Sequence, residues 1–153
     1  MRIISGGLER PEVVALLQQH LDEMALHSPP ESIHALDPDA LKVPQISFFS
    51  AWDEQQLMGC AALKALNAAH GEIKSMRTST QYRRRGVAAA LLEHMIALAA
   101  QRQYQALWLE TGSMDVFAPA RKMYGTFGFV ECEPFADYVR DPNSVFMTLD
   151  LPH

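Results

Sequence analysis

The feature that most constrains this chain is the run GVAAALLEHMIALAA, residues 86–100, interrupted only by Glu93 and His94. It is too short to cross a bilayer. It is apolar enough to need a partner surface, so it is expected to form a helix packed on a sheet. The chain is 153 residues long, 48% hydrophobic and 20% charged. That is ordinary globular composition, and we expect one domain spanning 1–153.

Segments around the run supply the sheet. MRIIS reads as a short strand, and Pro11 opens a helix with Val14, Leu17, Leu21 and Met24 on one face. The pair Pro29–Pro30 ends that helix, and DPDALKV at 37–43 reads as a helical turn capped by Asp37. QISFFSAW and QLMGCAALKAL flank the polar DEQ, which predicts an antiparallel hairpin. GEIKSMRT and YQALWLE read as two further strands, a helix is expected over 117–126, and FGFVEC and SVFMTLDL complete the set. The order is that of an α+β domain around one central sheet.

Immediately before the apolar run stand Arg83, Arg84, Arg85 and Gly86. A strand-to-helix junction presents backbone N–H groups with no intrahelical partner, so a helix dipole, free amides and arginine forks together suit a phosphate or pyrophosphate. Gly86 lets the backbone approach a ligand, and Ala88 keeps the next turn thin. A solvated turn is the plainer reading of an arginine triplet. A nucleic-acid arm fits poorly, because the chain carries a net charge of -5 and has no interleaved aromatics here. The P-loop pattern GxxxxGK[ST] is missing. Cys60 and Cys132 show no metal-ligand spacing, so no metal site is expected and both read as buried small side chains. MRIISGGLERPEVV lacks the apolar core of a secretory signal, which points to a cytoplasmic protein with no membrane partner.

RRRGVA, Arg83 to Ala88, resembles the [QR]xxGx[GA] signature of the GNAT superfamily of N-acetyltransferases, and ARKMYGTFGF resembles its AxxLYxxxGF segment. HALD, GEIKSMRT, LETGSM and FADYVRDPNSVFMTL further resemble a bacterial subfamily of small GNAT proteins. The resemblance covers essentially the whole chain. It implies a GNAT fold with a mixed, mostly antiparallel sheet and flanking helices, and acetyl-coenzyme A as co-substrate. The implied reaction is transfer of the acetyl group to a primary amine of a small molecule, and Arg77, as a partner for a substrate carboxylate, would favour an amino-acid-like one.

The resemblance also implies site residues. The cofactor would be held by Met76, Arg77 and Thr78 on the strand before the signature, and by Arg83, Arg84, Arg85, Gly86, Val87, Ala88 and Ala89. Phe117 stands where many members carry an asparagine, seven residues before the motif tyrosine. The Met76 amide would stabilise the thioester oxygen, and Tyr124 would protonate the departing thiolate, a phenol of pKa about 10 being suited to that task.

For the base that deprotonates the ammonium, Glu72 and Glu110 are the candidates. Glu72 is preferred, because a spacing of four puts it on the face of Met76 in a strand without a bulge. The plainer reading of either carboxylate is an ion pair with Lys74, Arg77 or Lys64. His34, Arg77 and Tyr138 are expected on the acceptor side, Arg77 as a partner for a substrate carboxylate. Two rivals stay open: a coenzyme A-binding regulatory module without turnover, and an acetyltransferase of protein termini or lysines. Edge strands of such a sheet also allow a homodimer.

Overall fold

The computed structural model describes residues 1–152. Its strands are β1 (Arg2–Ser5), β2 (Ile46–Asp53), β3 (Gln56–Ala65), β4 (His70–Thr78), β5 (Ala106–Gly112), β6 (Val130–Cys132) and β7 (Ser144–Asp150). Its α-helices are α1 (Pro11–His27), α2 (Val87–Gln101) and α3 (Ala118–Thr126). The strands form one sheet in the order β1-β2-β3-β4-β5-β7-β6. Among the described residues only β4 and β5 run parallel, joined through α2, and the other pairings are antiparallel.

The apolar run becomes α2, with Val87, Leu91, Leu92, Met95 and Ala99 buried against Leu63, Ile73, Leu107 and Leu109 of the sheet. α1 covers the opposite face with Val13, Leu16, Leu17 and Met24. Of the expected stripe Leu17 and Met24 are buried, whereas Val14 is exposed and Leu21 is only half-buried. Positions 13, 17 and 24 follow the 3.6-residue period, while Val14 falls beside that stripe.

Other expectations shift at their ends. The turn at 37–43 is a single 3-10 turn, Ala40–Lys42, with the Ala40 amide donating to Asp37 Oδ1 at 2.8 Å. The helix expected from 117 begins at Ala118, after a 3-10 turn over Asp115–Phe117. Cys60 is buried as expected, whereas Cys132 lies half-buried on the edge strand β6.

Two irregularities shape the middle of the sheet. The β4–β5 pairing runs from His70↔Ala106 only to Ile73↔Leu109, while β5 continues along β7 to Gly112↔Ser144. Beyond Ile73 the two parallel strands splay apart. In the same stretch β4 carries a bulge against β3: Ala62 faces Lys74 but Cys60 faces Arg77, and Ser75 takes φ 54°.

Candidate active site

The splay leaves the β5-facing edge of β4 without a strand neighbour from Lys74 to Thr78, and Met76 and Thr78 lie on that edge. The bulge alters which side chains share a face. Glu72, Lys74 and Arg77 point to the α1 side, and Met76 packs against the cluster on the α2 side. The expectation that Glu72 and Met76 share a face assumed a regular strand, and the extra residue at Ser75 overturns it.

At the end of β4 the chain makes a 3-10 turn, Thr80–Tyr82, and then the arginine loop. Arg83, Arg84, Arg85 and Gly86 are exposed. Arg84 and Gly86 both adopt left-handed backbone, at φ 64° and 79°. No side chain caps α2, and its first ladder bond runs from the Ala90 amide to the Gly86 carbonyl. The amides of Val87, Ala88 and Ala89 therefore have no intrahelical acceptor. Space around Gly86 is open, with nothing within 4 Å of the position a Cβ would take. Exposed guanidinium groups, uncapped amides and an unobstructed glycine fit a phosphate-bearing cofactor. The Arg85 guanidinium sits 5.5 Å from the centre of the Tyr82 ring.

The cleft on the α1 side holds a tight polar group. Tyr138 donates its hydroxyl hydrogen to Glu72 Oε2 at 2.5 Å, and Lys74 Nζ donates to the same oxygen at 3.2 Å and to the Tyr138 oxygen at 2.9 Å. Both charged side chains are nearly buried, Glu72 at 3% exposure and Lys74 at 9%. The plain ion-pair reading of Glu72 thus holds in part, with the pair inside the protein rather than on its surface. His34 packs edge-on to Tyr138, ring centres 4.8 Å apart, and burial followed by the Lys74 charge lowers its pKa, which favours the neutral form. Burial, then the Glu72 charge, raise the Tyr138 phenol. Phe135, Phe146 and Trp108 extend this wall under the 133–143 connection. Ser32 pins its own loop to that connection by donating to Asp141 Oδ2 at 2.5 Å.

Glu110 differs from Glu72. It lies on β5 past the last β4 pair, and burial pushes its carboxyl up to about 7, against the opposing pull of Ser144 and Lys74. Tyr124, buried on α3, packs edge-on against Phe129 at 5.8 Å. Burial, and then the Glu110 charge, raise its phenol well above the ordinary value. It stays protonated, and donates a hydrogen bond more readily than it surrenders the proton. Phe117 lies flat on Gly112, where an added Cβ would sit 2.2 Å from its ring. It meets His27 of α1 at 6.4 Å.

Arg77 is placed differently from the expectation. Its guanidinium forks onto both carboxylate oxygens of Glu23 on α1, at 2.7 Å each. In this state it is turned away from the splay and committed to a protein carboxylate. Glu23 also comes within 3.6 Å of Arg83. Sequence reasoning missed Glu23, and treated Lys74 only as an ion-pair partner. The i, i+2 spacing of Glu72 and Lys74 was the signal that both share one strand face.

A sheet that opens at its single parallel pair, beside an uncapped, arginine-flanked helix start, defines the fold of the acyl-CoA N-acyltransferases. The chain belongs to the acetyltransferase (GNAT) family, which matches over residues 13–129. It is 56% identical over 151 residues to the uncharacterized N-acetyltransferase YsnE of Bacillus subtilis, covering 99% of this chain and 100% of that one. It is 47% identical over 149 residues to the uncharacterized N-acetyltransferase YedL of Escherichia coli, covering 97% and 94%. The fold also matches an aminoglycoside 6'-N-acetyltransferase solved with coenzyme A, with TM-score 0.72, 14% identity, and coverage of 100% of this chain and 99% of that one.

Proposed function

We propose that this N-acetyltransferase is a single-domain cytoplasmic enzyme that moves an acetyl group from acetyl-coenzyme A to a primary amine of a small molecule. The observation that carries the reading is Glu110, a carboxyl raised to about 7 beside the β4–β5 splay. A base poised near neutral pH is what an ammonium acceptor requires, since only the neutral amine attacks a thioester.

The chain's groups divide the work as follows. The arginine loop and the amides of Val87, Ala88 and Ala89 hold the cofactor phosphates. Acetyl-coenzyme A, when bound, supplies the activated acyl carbonyl. Glu110 accepts the proton from the acceptor ammonium, directly or through one water. The Met76 amide, on the unpaired edge, donates to the thioester oxygen as it gains charge. Tyr124 donates a hydrogen bond to the departing sulfur. Glu72 is a poorer base than Glu110, because the oxygen that faces the network is held by Tyr138 and Lys74. His34 and Tyr138 line the acceptor side.

The test is coenzyme A release from acetyl-coenzyme A in the presence of pooled amino acids, polyamines, aminoglycosides and short peptides, for the native chain and Tyr124→Phe. Amine-dependent release that falls in the variant is expected, and splitting the active pool identifies the acceptor. Binding of acetyl-coenzyme A with no amine-dependent release would favour a coenzyme-binding module, and release with peptides alone would move the acceptor to proteins.

A further inference from the structure

We propose that Glu23 of α1 is a positioning residue for acyl transfer: through Arg77 it fixes the bulged segment of β4 that aims the Met76 amide. The inference rests on the transferase reading above, and on four observations.

First, the segment Lys74–Thr78 pairs with β3 through Lys74, Arg77 and Thr78 but not through its bulge. Its pairing with β5 has ended at Ile73↔Leu109, and its register with β3 skips Ser75 and Met76. Met76 therefore lies outside the regular register on both sides of β4. Second, Ser75 holds φ 54°, a left-handed conformation that is strained for an L-residue and persists only where neighbours enforce it.

Third, the enforcing contact lies next door. Arg77 is 11% exposed, and its two terminal nitrogens each donate at 2.7 Å to Glu23. A bidentate fork fixes angle as well as distance. Arg77 Nε has no partner of its own, so Glu23 is the acceptor that holds this buried cation. The left-handed Ser75 on one side and the anchored Arg77 on the other leave the Met76 backbone little freedom. Fourth, the same carboxylate lies 3.6 Å from Arg83, the first arginine of the loop. One side chain of α1 thus contacts both the residue that follows Met76 and the first arginine of the loop.

Docking α1 on the sheet does not call for this contact. Val13, Leu16 and Leu17 are 5% exposed or less, and they already bury the helix face. His20, one turn before Glu23, is kept neutral by burial and by the Arg77 charge, so it does not compete with Arg77 for the Glu23 carboxylate as an imidazolium would.

The experiment labels the eight methionines with nitrogen-15 and follows the Met76 amide by NMR as coenzyme A or acetyl-coenzyme A is added. In the native chain, acetyl-coenzyme A should shift Met76 beyond the shift seen with coenzyme A, because only the former carries the carbonyl. In Glu23→Gln that acetyl-specific shift should fall by half or more. Turnover should drop about tenfold or more, with KM for acetyl-coenzyme A changing less than about threefold. Glu23→Asp, which keeps the charge but retracts it, should lie between the two. A native-sized acetyl-specific shift in Glu23→Gln would overturn the proposal, as would a native chain that binds both compounds with no acetyl-specific shift at Met76. A native chain that binds neither compound would instead sink the transferase reading on which it rests.

Discussion

The two faces of the sheet are built to different rules. Under α2 the buried cluster is almost wholly apolar, running from Phe49 and Leu63 through Leu91, Leu92 and Met95 to Leu107 and Leu109. Under α1 the apolar cluster is smaller, and its neighbours include Glu72, Lys74, Arg77, Glu110 and Tyr138. Burying such groups is costly unless each finds a partner, so the α1 face gives up stability to hold charges in fixed geometry. The α2 face supplies what the other spends. Tyr124 lies within the apolar cluster, and the Glu110 charge reaches its phenol.

The largest effect that sharpens this contrast is expected at Glu110. In Glu110→Gln, turnover should fall about 10²–10⁴-fold, the range for losing a general base. In the native chain kcat/KM should rise with pH through about 7 and then level, and the variant should lose that limb. Stability should move the other way. A carboxyl raised from 4.5 to about 7 leaves the folded state holding a proton that the unfolded chain releases. The native protein therefore loses stability relative to the variant as pH climbs through that window, by up to about 3 kcal/mol. Urea unfolding at pH 8 that finds the variant less stable would break the contrast.

Next in size is the apolar face. Leu91→Ala removes a side chain with no solvent exposure and should cost about 2–5 kcal/mol in urea unfolding. Its kcat, measured where the variant is folded, should stay within about twofold of native. Smaller again is Tyr138→Phe, which deletes the hydroxyl shared by Glu72 and Lys74. A loss of about 1–3 kcal/mol is expected from the partners left short of a bond. A rise in KM for the acceptor should accompany it, while binding of coenzyme A by calorimetry stays unchanged.

The contrast also decides what was legible in the sequence. The α2 side was readable because periodicity and apolar runs report burial directly, and the RRRGVA and MYGTFGF segments sit at its two ends. The α1 side was only partly readable. Glu72, Glu110, His34 and Tyr138 were singled out as chemistry-bearing residues, and the fold gathers them on one side. What joins them are pairs such as Tyr138 with Glu72 and Arg77 with Glu23, 66 and 54 residues apart, which leave no periodic trace. The bulge was illegible for a local reason. Serine carries no glycine-like signal for a left-handed backbone, so a regular strand was the natural reading of GEIKSMRT, and the face assigned to Met76 followed from it.

The smallest expected effect separates charge from burial as the basis of the contrast. Arg140 and Glu133 form an ion pair on the same connection that carries Tyr138, but their side chains are 78% and 75% exposed. Water already satisfies both groups, and ordering two long side chains offsets the attraction between them. Arg140→Ala should therefore change stability by less than about 0.5 kcal/mol, with the residual effect fading in high salt. If thermal unfolding instead showed a loss comparable to that of Tyr138→Phe, charge density along the connection would be holding it to the sheet. The buried Glu72–Lys74–Tyr138 group would then lose its claim to be the anchor. A near-zero effect leaves desolvation as what distinguishes the charges of the cleft from those of the surface, and it assigns the cost of the α1 face to its buried charges.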